Sequence, residues 1–247
     1  MLPISLSFFC VALVYSMVGF AGGSSYTAIL ALSSMPYELI PVVSLCCNLT
    51  VSSGGVYHYY KNGMINRKLT SAFVLSSIPL SFVGGYLRIS EVVFFLLLAF
   101  SLIVTGLSLL VKKGLGTEDL RNLSFPKASF IGGSLGFLAG LVGIGGGIFL
   151  SPLMIRFRWA TAREAASTAS VFIFLNSISG LLGQLIKGVY KEFPMQYLVL
   201  LATVFCGGQI GSRISSNRRY PDRYIRLLTG VLILVVGLRV LWDKGLS

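Results

Sequence analysis

The stretch Gly132–Pro152 reads GGSLGFLAGLVGIGGGIFLSP and lies inside a long apolar run. Gly143, Gly145, Gly146 and Gly147 at its centre cannot hold an ordinary helix, because each interior glycine costs about 1 kcal/mol relative to alanine. The run of three glycines, then Ile148-Phe149-Leu150 and Pro152, reads as a helix break followed by a new helix. In lipid a break leaves backbone N–H and C=O groups unpaired. It persists only where protein, water or a ligand satisfies them. The break is therefore the first place to look for a site.

The rest of the composition requires a membrane around that stretch. The chain has 247 residues, of which 55% are hydrophobic and 11% charged, against about 25% charged in soluble domains. Mean hydropathy is +0.83. A soluble protein of this size cannot hide so much apolar surface. The expected class is all-α: a polytopic membrane protein of about eight transmembrane segments in two similar halves, each with a glycine-broken helix. The net charge of +12 does not point to nucleic acid, because the basic residues fall between apolar runs, where they meet lipid headgroups or set topology. Cys10, Cys46, Cys47 and Cys206 all sit in apolar runs without metal or redox spacing and read as small buried hydrophobes. No cofactor, metal or catalytic constellation is expected. The first twenty residues lack the basic start of a signal peptide and read as a retained crossing.

Apolar segments fall at 2–33, 39–60, 69–87, 92–111, 128–155, 164–186, 195–211 and 225–242. The polar link 114–127 separates a first repeat, 1–113, from a second, 128–247. Segments 2–33 and 128–155 are too long for one straight crossing: about 30 residues would reach roughly 45 Å, against a hydrocarbon core of about 30 Å. Each should form a helix, a turn inside the membrane and a short second helix. Whether the short piece crosses or turns back is open.

The halves resemble each other. Gly19–Leu32 lies over Gly140–Leu153, with Gly22 on Gly143; Glu38 falls on Glu164, Ser44 on Ser170, Asn48 on Asn176, and Gly84-Gly85 on Gly207-Gly208. Such repeats are a hallmark of transporters, whose sites lie near mid-membrane at the repeat interface. Four crossings per repeat would make the repeats parallel, and an odd number would invert them. With eight crossings, Lys61, Arg67, Lys68, Lys112, Lys113, Arg121 and Lys127 fall on the N-terminal side and Arg88 on the other. The positive-inside rule then puts both termini in the cytoplasm, although the second half contradicts this count.

Candidate substrate-binding residues follow from the breaks. A helix that starts after glycines offers free N–H groups and a partial positive charge. Glycines also let those donors approach an anion closely. Gly22 and Gly23 with Ser24 and Ser25 form one candidate set, and Gly143, Gly145, Gly146 and Gly147 the other. The bland alternative is tight helix packing. Asn48 and Asn176 are amides deep in apolar runs, read either as substrate contacts or as interhelical hydrogen bonds. Ser170 lies on the approach to them. Glu38 and Glu164 are speculative coupling groups, and their bland reading is stabilisation by a helix dipole. His58, inside Tyr57-His58-Tyr59-Tyr60, reads as part of an interfacial aromatic belt. Arg213 reads as an interface anchor, with an anion contact at a pore mouth as the alternative.

The motif Gly140-Leu141-Val142-Gly143-Ile144-Gly145-Gly146-Gly147, with Pro152 after it, resembles the signature of the TauE/SafE family of sulfite exporters. The likeness extends over nearly the whole chain. The first half departs from the motif at Gly22-Gly23-Ser24-Ser25-Tyr26, with Ala31 where Pro152 would align. The resemblance implies transport of a small sulfur-containing anion, such as sulfite or an organosulfur acid, across a bacterial plasma (inner) membrane. The expectation is a secondary transporter, with an anion or small-solute channel as the alternative and no enzymatic activity. The sequence leaves open a coupling ion (proton or sodium) and assembly as a homo-oligomer.

Overall fold

The computed structural model describes residues 2–17, 20–33, 35–110, 120–188, 197–216 and 222–245. They form ten α-helices and no strand. In chain order these are α1 (Leu2–Met17), α2 (Gly23–Ala31), α3 (Leu39–Lys61), α4 (Arg67–Tyr86), α5 (Glu91–Leu110), α6 (Phe125–Val142), α7 (Gly147–Arg156), α8 (Ala162–Lys187), α9 (Leu198–Ser216) and α10 (Asp222–Val240); a π-helical turn, Leu241–Gly245, follows α10. The eight longer helices correspond to the eight expected segments. Among the described residues, five of them are long and apolar enough by themselves to cross a membrane. The expected link 114–127 falls partly outside the described residues, at 114–119, and its last three residues already form the first turn of α6.

Glycines set the helix packing. On α6, Gly132, Gly136 and Gly140 recur every fourth residue, and a Cβ on each would run into the backbone carbonyl of Phe73, Ser77 and Ser81, which recur at the same spacing on α4. Gly207 and Gly211 of α9 meet the carbonyls of Phe9 and Leu13 on α1 in the same way. Lipid offers no hydrophobic drive between helices, so close backbone approach at small residues supplies the association. The most extensive of these contacts join early helices to late ones: α4 to α6 and α8, α1 to α9, α5 to α10 and α3 to α8.

The polar contacts at the helix ends fix the path of the chain. At one end, Asn66 Nδ2 donates to Glu164 Oε1 at 3.0 Å and Ser167 Oγ donates to the Met64 carbonyl at 3.0 Å. The Arg121 N–H donates to the Arg158 carbonyl at 2.7 Å, and the Lys127 ammonium lies 5.5 Å from the Trp159 ring centroid. The start of α6 and the end of α7 therefore share this end, and α6–α7 is a hairpin that enters and returns. At the opposite end, Arg88 donates to the Lys187 carbonyl and Tyr37 to that of Ile89. There α1–α2 makes the corresponding hairpin, because α1 runs parallel to α9 and α2 leads back into Tyr37. With nine and ten residues, α2 and α7 reach roughly 15 Å, half the hydrocarbon core.

This path corrects the topology expected from the segment count. Lys61, Arg67, Lys68, Arg121, Lys127, Arg156, Arg158 and Arg163 gather at the first end, while Arg88, Lys187 and Arg239 lie at the other. Both over-long segments turn back rather than cross, so the basic residues of the two halves fall together instead of cancelling. The positive-inside rule now assigns the basic end to the cytoplasm. The N-terminus of α1 and the C-terminal end of α10 then face outward, the reverse of the sequence expectation. In a variant lacking Cys10, Cys46, Cys47 and Cys206, an impermeant maleimide should label Leu2→Cys in intact cells. It should reach Gly63→Cys, in the open turn after α3, only once the membrane is permeabilised.

Candidate functional site

Each hairpin turns on glycines with left-handed backbone. Gly22 (φ 94°) precedes α2, while Gly143 (φ 82°), Gly145 (φ 81°) and Gly146 (φ 75°) lead into α7. Any other residue would be strained at these angles. Space is also missing: a Cβ on Gly143 would lie 2.5 Å from Pro41 Cα, and one on Gly146 would lie 2.8 Å from the Phe172 ring. Gly147 is already the first residue of α7, and Pro152 lies inside that helix. The sequence register paired Gly22 with Gly143. By position at the helix start, Gly22 instead matches Gly146, three residues later, because both are the N-caps of the short helices.

A glycine N-cap has no side chain to bond the first turn, and neither short helix has a side-chain cap. The N–H groups of Gly23 and Ser24, and of Gly147 and Ile148, are the opening donors of α2 and α7 and lack intrahelical acceptors. The two breaks meet on α3. Ser44 Oγ lies 2.8 Å from the Gly143 carbonyl oxygen and 3.2 Å from that of Gly23, sharing one hydroxyl proton between them. One turn on, Asn48 Nδ2 donates to the Gly143 carbonyl at 3.4 Å and also stands against Gly23 and Gly145. Its Oδ1 is buried without a partner.

From the other side, α8 presents a stripe to the second break. Ile173 packs on Gly145 and Gly147, and Gly180 lies against Gly140 and Leu45. Asn176 lies between them on the same stripe, fully buried. Neither its Oδ1 nor its Nδ2 has a hydrogen-bond partner, although its backbone carbonyl accepts from Ser81 Oγ at 2.9 Å. A buried amide left without partners costs about 1–3 kcal/mol, and among the described residues Asn176 carries two such atoms and Asn48 one.

The other sequence candidates are placed as follows. Ser24 and Ser25 are buried beside Tyr15, whose hydroxyl lies 2.8 Å from Ser25 Oγ and 3.4 Å from Ser24 Oγ. Ser170 is buried on α8 close to Gly55 of α3, away from Ser44, its sequence counterpart. Glu164 belongs to a capping box: its Oε2 accepts from the Thr161 N–H at 3.0 Å and its Oε1 from Asn66. Glu38 lies before α3 at the opposite end, so the two acids stand at the two ends of the bundle rather than at the breaks. Sequence reasoning did not single out Tyr15 and Tyr26. Tyr26 is fully buried, stacks on Phe8 at 4.7 Å and has no partner for its hydroxyl. Tyrosine in an apolar run carries no signal of this kind until the neighbouring serines are seen beside it.

The chain is thus a polytopic helical bundle whose two broken hairpins meet on α3 at Ser44 and Asn48, and its relatives place it in the class of membrane transporters. The family description Sulfite exporter TauE/SafE matches residues 4–240, and the chain belongs to that family. It is 32% identical over 243 residues to the probable membrane transporter protein y4hK of Sinorhizobium fredii, covering 97% of each chain. It is 24% identical over 260 residues to the probable membrane transporter protein YunE of Bacillus subtilis, covering 93% of each. A probable membrane transporter protein of Methanocaldococcus jannaschii, MJ0441, is 23% identical over 197 residues, covering 75% of this chain and 72% of its own. No solved structure matches the chain.

The bonding pattern separates structural groups from unsatisfied ones. Ser44→Ala should lower thermal stability in detergent by about 1 kcal/mol, because it removes the bond joining the breaks. Gly146→Ala should cost about 1–3 kcal/mol through its left-handed backbone. Asn176→Ala should leave the unfolding temperature nearly unchanged, since it removes no bond.

Proposed function

We propose that the protein is a secondary transporter of small oxyanions, sulfite or an organosulfonate being the favoured class, with its substrate held where the two breaks meet. The observation that carries this reading is the meeting of uncapped helix N-termini on Asn48, whose Oδ1 lacks a partner, with Asn176, whose Oδ1 and Nδ2 both lack one, on the facing helix α8. The helix starts supply backbone N–H donors and partial positive charge. The asparagine amides supply further donors without a fixed charge. A site of this kind can bind an anion and also release it, which transport requires.

The opposite directions of the two hairpins suit a pair of inverted repeats, 1–113 and 128–247, around a mid-membrane site. In this reading α1–α5 and α6–α10 rock against each other across their glycine seams, so that the site is reached from one end at a time. Export suits a bacterial plasma membrane, because the inside-negative potential favours outward movement of an anion by about 2.3 kcal/mol per charge per 100 mV. Glu38 and Glu164, at the two ends of the bundle, are the remaining candidates for coupling to a proton.

Uptake of radiolabelled methanesulfonate or sulfite into proteoliposomes tests the proposal. The parent should give saturable flux that a trans gradient of the same anion stimulates. Asn176→Ala should lower that flux at least tenfold while leaving the protein folded. Flux that does not saturate would point to a channel, and no flux with any sulfur oxyanion would remove the proposed substrate class.

A further inference from the structure

At the basic end a cavity of about 390 Å³ opens between α3 and α9, apart from the breaks. Ser53, Tyr57 and His58 line it from α3, and Gln209, Ser212 and Arg213 from α9. Each set lies within about one turn of its helix, so the side chains share one face. Gly54 leaves the room: a Cβ there would lie 2.8 Å from Gln209 Nε2.

Among the described residues the charge of the cavity has no acidic partner. Arg213 forms no ion pair with any described residue. Glu164, an acid at this end, is held by Thr161 and Asn66. An exposed guanidinium lining the same open cavity as hydroxyls, an amide and an imidazole is a donor set suited to an oxyanion. A role for Arg213 as a headgroup anchor accounts for the charge but not for a polar cavity built around it. The matching seam at the opposite end is filled: Gly85 meets the Gly180 carbonyl, Gly183 meets that of Phe82, and Gln184 is 2% exposed.

Two buried hydroxyls lie on the helices behind the cavity. Ser52, beside Ser53 in the chain, donates to the Asn48 carbonyl at 2.6 Å. Ser16, next to Gly208, is buried with its hydroxyl unpartnered.

We infer that this cavity binds an oxyanion, free in the cytoplasm or carried on a lipid headgroup, with Arg213 as its charged anchor. It is also the mouth through which an anion reaches the breaks; this second role rests on the transporter reading, whereas the binding does not.

The test uses purified, delipidated full-length protein in neutral detergent. Sulfate and methanesulfonate are titrated calorimetrically, and phosphatidylglycerol retention is measured by native mass spectrometry. The parent, Arg213→Gln, Arg213→Lys and, as a charge control at the same end, Lys127→Gln are compared. Arg213→Gln should weaken binding about tenfold or more, as loss of a charged hydrogen bond does. Arg213→Lys should keep most of the binding and Lys127→Gln all of it. An Arg213-dependent heat with the free anions assigns a soluble ligand, and Arg213-dependent lipid retention without that heat assigns the headgroup. Equal binding by parent and Arg213→Gln in both arms, or no binding in either, overturns the site. In proteoliposomes, Arg213→Gln should raise KM for anion offered at the basic end and leave kcat unchanged. An unchanged KM overturns the mouth. A parent that moves no anion removes the transporter reading, and the mouth with it, while Arg213-dependent binding would still stand.

Discussion

Backbone polar groups inside a bilayer must find partners, and two stretches of this chain depart from helix at that depth. Everything at the centre of the molecule answers that constraint. The Gly23 and Gly143 carbonyls share the Ser44 hydroxyl, and Asn48 reaches the second of them. One helix, α3, thus holds both breaks together. The donors at the starts of α2 and α7 are left with glycine caps that cannot satisfy them.

Glycine serves two separate purposes within the single stretch Gly132–Pro152. The first three at four-residue spacing, Gly132, Gly136 and Gly140, bring α6 against the backbone of α4. The next group, Gly143 and Gly145–Gly147, turns the chain back. The tight-packing and helix-break readings of these glycines are both realised, at different residues. The closest packing joins early helices to late ones, and α3 touches both breaks while α8 packs on the second.

Hydropathy made the helices legible, and the glycine run made the second break legible, because both depend on residue type alone. The direction of the chain after each break was not legible, since apolar length says nothing about which way a short helix points. That one missing fact reversed the expected orientation. The first break was also misregistered: identity paired Gly22 with Gly143, whereas position at the helix start pairs Gly22 with Gly146. Asn48 and Asn176 stood out as amides in apolar runs; both are fully buried, and Asn48 stands against Gly23, Gly143 and Gly145. Tyr15 and Ser44 did not stand out as central groups, because hydroxyls often bond back to their own helix, and only the fold shows that these two bond elsewhere.

If the two breaks form one anion site, the backbone itself can report on it. Protein labelled with ¹⁵N-glycine, reconstituted in nanodiscs and titrated with methanesulfonate, reads the amides of the 28 glycines directly. A single site gives saturable shifts at Gly23 and Gly145–Gly147 with one common affinity, weakened in Asn176→Ala. Saturable shifts confined to glycines remote from both breaks, or different affinities at Gly23 and Gly147, would contradict it.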